Sequence, residues 1–226
     1  MNVESVHVPP EVPVFPLPDV VLFPRQILPL HIFEPRYRKM VADVLAGDQF
    51  MAVALLRTGY EDSYLSASAP IHSVIGVGRI IGSERLDDGR YNILLRGEAR
   101  AKIVDEQPAR PYRVANIEPL ACCCDSDVAR SADLRGELRI VVESAFGDVC
   151  EAREQLEQLL TANLPLTDLV DLIAAGMPAP GEVRQVMLEE LDVTQRLQLL
   201  IDNIRTTGAL LHQSRLRGGR GSCHLN

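Results

Sequence analysis

Residues 13–24 read Pro-Val-Phe-Pro-Leu-Pro-Asp-Val-Val-Leu-Phe-Pro, and residues 28–38 read Leu-Pro-Leu-His-Ile-Phe-Glu-Pro-Arg-Tyr-Arg. The apolar residues demand cover, while prolines at 13, 16, 18, 24 and 29 remove N–H groups that a regular ladder needs. Residues 12–17 therefore suit an edge strand. Residues 18–33, with Pro18, Pro24 and Pro29, read as an irregular but buried segment. Pro35 then fits a first helical position, where its missing N–H costs nothing. Tyr37, Met40, Val41, Val44 and Leu45 follow on one face at helical spacing, and Gly47 closes the helix.

Residues 50–56 form a continuous apolar run of strand length. Residues 57–70 are small and polar, which marks a long loop. Residues 73–86 and 90–97 read as two strands joined at Asp87-Asp88-Gly89, since an Asp-Gly pair supplies the positive φ of a tight hairpin. Residues 99–105 and 112–120 alternate as two further strands. Strands at this spacing favour a closed or nearly closed barrel. From about residue 127 the apolar period becomes helical. Leu134, Leu138, Val141 and Val142 form one stripe, and Leu156, Leu159 and Leu160 another. A short helix lies between Pro165 and Pro178, and another follows Pro180-Gly181. Asp192-Val193-Thr194-Gln195 has capping-box character before the last helix.

The expected fold class is α+β: a β pseudobarrel over residues 10–122, a helical subdomain over 127–212, and a tail over 213–226 without regular structure. Composition narrows the function. The chain of 226 residues has 46% hydrophobic content, no Trp and 4% aromatics, so its core is aliphatic. Residues 1–120 carry 13 basic and 15 acidic side chains, and residues 121–226 carry 10 and 16. Neither half has the basic surplus that phosphate-backbone binding requires, which argues against a nucleic-acid partner. Five cysteines, three of them consecutive at Cys122, Cys123 and Cys124, make no disulfide framework. No signal peptide or membrane-length apolar run is visible, so a cytoplasmic location is expected.

The two opening stretches are similar to the signature of the Lon protease N-terminal domain. Residues 73–80 and 92–101 resemble two of its barrel strands, and residues 169–175 and 187–197 its helical half. The likeness covers nearly residues 12–210 and is strongest to short bacterial Lon-domain proteins. It implies a PUA-like pseudobarrel plus a helical bundle that recognises polypeptide substrates. The phosphate loop GxxxxGK[ST] of an ATPase is missing from these residues, and a protease domain supplying a Ser–Lys dyad is not expected. The expectation is a non-catalytic binding module without cofactor or metal, an adaptor in protein quality control. The alternative is an RNA- or small-molecule-binding module of PUA-like type.

Candidate contacts are residues that sit oddly in their context. Arg25, His31 and Arg57 are polar among apolar neighbours and are expected along a groove. Tyr60, Tyr64 and Leu65 lie in the long polar loop, where aromatic side chains either contact a partner or fold down as a lid. Arg36 either pairs with Glu34 or points outward, and Glu34 is placed to cap the helix at Pro35. His31 with Glu34 lacks the spacing and third ligand of a metal site. Three successive cysteines in extended chain point to alternating faces and cannot converge on one metal. Gly76-x-Gly78-x-x-x-Gly82 lies inside an apolar strand, so it reads as barrel bending or close backbone approach rather than a nucleotide loop.

Overall fold

A computed structural model describes residues 7–60, 69–107, 111–122, 128–146 and 150–218. The described residues form six strands and six helices. The strands are β1 (Glu11–Leu17), β2 (Ile27–Ile32), β3 (Phe50–Leu55), β4 (Val74–Arg85), β5 (Tyr91–Gln107) and β6 (Arg113–Leu120). The helices are α1 (Pro35–Ala46), α2 (Val128–Phe146), α3 (Cys150–Thr161), α4 (Leu166–Gly176), α5 (Gly181–Glu189) and α6 (Val193–Gly218). The chain forms two compact units, residues 1–121 with 180–191, and residues 122–179 with 192–226.

In the barrel unit the strand order is β2-β5-β4-β3-β1-β6, with β5 also pairing β6. The long strand β5 makes this closure possible. Its first half pairs β2 and its second half pairs β6. Residues 90–97 and 99–105, expected as two strands, are therefore one. Gly97 does not end the strand; it marks the change of partner. A Cβ there would lie 2.0 Å from the Phe23 carbonyl oxygen, and one on Gly76 would lie 2.0 Å from that of Leu22. The segment through Leu22 and Phe23, both fully buried, crosses directly over the two strands. This close backbone approach is what the glycines permit.

β1 is not an edge strand, contrary to expectation. β6 pairs antiparallel with its first half, and β3 pairs parallel with its second half from Val14 to Leu17. The Ile117 N–H donates to Pro10 O and the Leu56 N–H to Leu17 O. By strand alternation Pro13 turns toward β3 before that pairing begins, and Pro16 turns toward β6 after that pairing has ended.

Residues 18–33 are likewise not uniformly buried. Residues 27–32 form a strand, and Ile27 and Phe33 are 57% and 61% exposed. The Gln26 N–H donates to Phe23 O across Pro24 and Arg25, and Arg25 has φ +67°. This is the geometry of a type II turn, with proline second and a left-handed residue third. The Asp87-Asp88-Gly89 connection closes through Leu86 N–H to Arg90 O and Gly89 N–H to Leu86 O, with Gly89 at φ +81°. It is a three-residue hairpin loop with glycine at the left-handed position.

Two aliphatic clusters fill the barrel unit. One joins Tyr37, Met40, Val41 and Val44 of α1 to Met51, Val53, Ile80, Ile93 and Leu95. The other joins Val12, Val14, Ala52, Ile75, Val77, Ala101 and Ile117. α5 belongs here although 58 residues of the other unit precede it, a return that helical period alone does not reveal. Asp19 Oδ1 accepts from the Gly181 N–H at 2.6 Å, placing a carboxylate at the positive end of α5. At the other end the buried Arg100 donates to Leu188 O at 2.9 Å. Between them buried Gln185 donates to Val74 O at 2.8 Å.

The helical unit packs α2, α3, α4 and α6 around Leu138, Val142, Leu169, Ile173, Leu197, Leu200 and Ile204, each at most 1% exposed. Asp192 Oδ1 accepts from the N–H groups of Thr194 at 2.8 Å and Gln195 at 3.1 Å, capping α6. Arg196 and Asp171 form a buried ion pair at 3.1 Å between α6 and α4. The tail expected from residue 213 is helical to Gly218. Residues 219–226 lie outside the described residues.

Candidate functional site

The outer face of β2, β5 and β4 departs most from ordinary surface chemistry. Inward-facing Leu28, Leu30 and Ile32 of β2 and Tyr91, Ile93 and Leu95 of β5 join the aliphatic core around α1. Strand alternation turns the intervening residues out. Register sets Ile27 beside Arg96, Pro29 beside Leu94 and His31 beside Asn92. Across β5, Leu94 meets Gly82 and Asn92 meets Glu84. An apolar row of Ile27, Pro29 and Leu94 thus runs over side-chain-free Gly82. Ile27, Leu94 and Ile81 are 57%, 44% and 45% exposed. Ile81 stands out because the β4–β5 register slips between Ile80 and Gly82.

A hollow of about 530 Å³ lies on this face, lined by Pro29, His31, Gly82, Glu84, Asn92 and Leu94 among others. A second of about 310 Å³ shares Gly82 and Ser83 and reaches Ile81 and Arg96. Phe33 extends the apolar surface: its ring stacks on His31 with centroids 6.3 Å apart.

A polar chain borders the hollow. His31 Nδ1 lies 2.8 Å from Asn92 Oδ1, and Arg90 Nη1 lies 3.2 Å from His31 Nε2. The imidazole that satisfies both carries its proton on Nδ1, donating to Asn92 and accepting from Arg90. Asn92 Nδ2 in turn donates to Glu84 Oε2 at 3.0 Å. Arg90 also binds Asp88, whose carboxyl is held below the ordinary value by the Arg90 N–H and guanidinium. The chain fixes the rim and leaves the apolar row uncovered.

The residues singled out in the sequence do not converge. His31 alone lines the hollow. Arg25 is exposed at the turn before β2. Arg36 takes the inward of its two options: Nε donates to Glu34 Oε2 at 3.0 Å, and its guanidinium lies 4.5 Å from the centre of the Tyr37 ring. Glu34 occupies the N-cap position of α1 but makes no side-chain capping bond, because Arg36 engages its carboxylate. Arg57 is exposed, with its N–H on Pro70 O. Tyr60 is half-buried, and Tyr64 and Leu65 lie outside the described residues. Cys122 sits 3.7 Å from the Arg196 guanidinium, while Cys123 and Cys124 are outside the described residues. Among the described residues no cluster of three or more His, Cys, Asp or Glu is placed to hold a metal, and no helix is long and apolar enough to cross a membrane.

Ile27, Phe33 and Leu94 escaped the sequence reading, yet a signal was present. In Asn92-Ile93-Leu94-Leu95-Arg96, Leu94 stands in the phase otherwise occupied by Asn92 and Arg96. An apolar side chain in the solvent phase of a strand marks a surface awaiting cover.

The family model described as the ATP-dependent protease La (LON) substrate-binding domain matches residues 11–206. Lon protease 2 of Myxococcus xanthus is 24% identical over 212 residues, covering 94% of this chain and 25% of that protein. Lon protease 2 of Herpetosiphon aurantiacus is 30% identical over 194 residues, covering 84% of this chain and 23% of that protein. The chain thus spans about a quarter of the length of the curated relatives it matches. Among solved structures, the N-terminal domain of Mycobacterium avium complex Lon protease superposes with TM-score 0.63 at 19% identity, covering 86% of this chain and 97% of that one. A Lon N-terminal domain protein from Xanthomonas campestris gives TM-score 0.59 at 20% identity, covering 85% and 97%.

Proposed function

Because this chain belongs to the LON substrate-binding domain family, we propose that it recognises polypeptides through the outer face of β2, β5 and β4, without making or breaking a bond. It serves in the cytoplasm as a recruiter of exposed apolar segments in protein quality control. The observation that carries this reading is the uncovered apolar row of Ile27, Pro29 and Leu94 with Phe33 and Ile81 beside it. Apolar area leaving water contributes about 25 cal/mol per Å². Covering a few hundred Å² therefore supplies several kcal/mol against the ordering costs of association, which suits transient capture. The hollow is shallow and bordered by paired polar groups, a form suited to a chain lying across it.

The test is fluorescence anisotropy with a labelled, reduced and carboxymethylated protein as a permanently unfolded probe. Wild type is expected to bind this probe and not its native form. Replacing Ile27, Phe33 and Leu94 together by Ser is expected to weaken binding tenfold or more with the melting temperature unchanged. Affinity is expected to change little with salt. No binding of the unfolded probe, or tight RNA binding that falls steeply with salt, would overturn the reading.

A further inference from the structure

We propose that the unpaired edge of β2 is a strand-addition site, at which an extended apolar segment of the captured polypeptide pairs its main chain with Ile27, Pro29 and His31. This rests on the recognition reading above and specifies how the target is held. Among the described residues, β2 ends the strand order and has β5 as its only strand neighbour. The Gly97 N–H donates to Gln26 O at 2.8 Å, which sets the phase of the ladder. From there Leu28, Leu30 and Ile32 stand opposite Leu95, Ile93 and Tyr91 as the bonded pairs. Ile27, Pro29 and His31 direct their main-chain groups away from β5. Two N–H groups and three carbonyls along this edge are thus arrayed for another extended backbone.

Pro29 selects the occupant. A second copy pairing antiparallel about Pro29 would place proline against proline and lose both bonds of the central pair. A separate peptide loses only the one that Pro29 cannot donate. Six residues give an edge about 20 Å long. Such an edge buries a few hundred Å², well short of the roughly 1,200 Å² of a stable interface. The edge therefore admits a short extended segment and disfavours self-pairing. Incoming residues opposite Ile27 and Pro29 lie on the outer face beside the Leu94 row, and the alternate ones lie beside Leu28 and Leu30. Both faces of the incoming strand are matched by apolar side chains, so the segment is apolar at successive positions and free of proline.

The experiment uses a fluorescein-labelled nonapeptide with a five-residue Val/Ile/Leu centre flanked by lysines, and reads affinity together with amide exchange by NMR. Binding is expected to slow exchange of the Ile27 and His31 amides tenfold or more. Pro29→Val, which restores the missing donor, is expected to bind about three- to tenfold tighter, the net worth of one main-chain hydrogen bond, and to self-associate at high concentration. Binding with both amides exchanging as before and no gain in Pro29→Val would overturn strand addition while leaving polypeptide recognition intact. Absence of peptide binding to the wild type would overturn both. Should Pro29→Val fail to fold, the wild-type amide exchange decides.

Discussion

The two units each bury an arginine, with a main-chain carbonyl beside one and a carboxylate beside the other. Arg100 in the barrel unit is 2% exposed; it donates to the last-turn carbonyl of Leu188 and lies 5.9 Å from the centre of the Phe23 ring. Arg196 in the helical unit is fully buried against the Asp171 carboxylate, with Cys122 Sγ 3.7 Å away. A helix C-terminus carries about half a negative charge on main-chain carbonyls that no point substitution removes. A carboxylate is a single side chain. The barrel unit thus sets a main-chain acceptor at the end of α5 against its buried cation, and the helical unit sets a carboxylate.

Asp171→Ala should break the comparison most sharply. Removing the carboxylate beside buried Arg196 is expected to cost about 3–5 kcal/mol, read by urea denaturation, with amide exchange rising first in α4 and α6. Replacing both partners, Asp171→Leu with Arg196→Met, is expected to restore wild-type stability or exceed it, since a buried ion pair often does no better than packed apolar groups. Equal loss in the single and double variants would remove the contrast. Arg100→Met should cost about 1.5–3 kcal/mol, the worth of a hydrogen bond with a charged partner, with faster exchange confined to α5 and its seat. Asp192→Ala, which strips the cap from α6, is expected to cost about 1 kcal/mol in the same assay.

The smallest effect concerns Tyr112, whose hydroxyl donates to Asp43 Oδ2 at 2.9 Å. Burial, then the Asp43 hydrogen bond and charge, push its hydroxyl up to about 12. The folded state thus favours the neutral ring. This contribution is whole below the ordinary tyrosine value of about 10 and is lost as pH rises from there through about 12. Wild type and Tyr112→Phe, compared by urea midpoint between pH 10 and 12, should converge at the alkaline end.

Sequence legibility followed how local each cause was. The α1 stripe and the Asp87-Asp88-Gly89 loop were readable because their physics acts within a few residues. The outer face was not, because an all-apolar run such as residues 27–30 reads as buried whenever both strand faces are assumed covered. Asp19, Arg100, Asp171 and Arg196 gave no signal, since their partners lie 162, 88 and 25 positions away in the chain. His31 was singled out for its odd context, but its contacts with Arg90 and Asn92 come from how the strands pair, which composition does not encode.

The return of α5 to the barrel has a consequence in time. Synthesis at about 5–20 residues per second separates Ala121 from Glu189 by roughly 3 to 14 seconds. Throughout that interval a nascent barrel presents an empty seat, with the Arg100 guanidinium and the Val74 carbonyl lacking the partners that α5 brings. The last piece of the first-made body is thus delivered late, and whatever shelters the emerging chain must do so until that helix arrives.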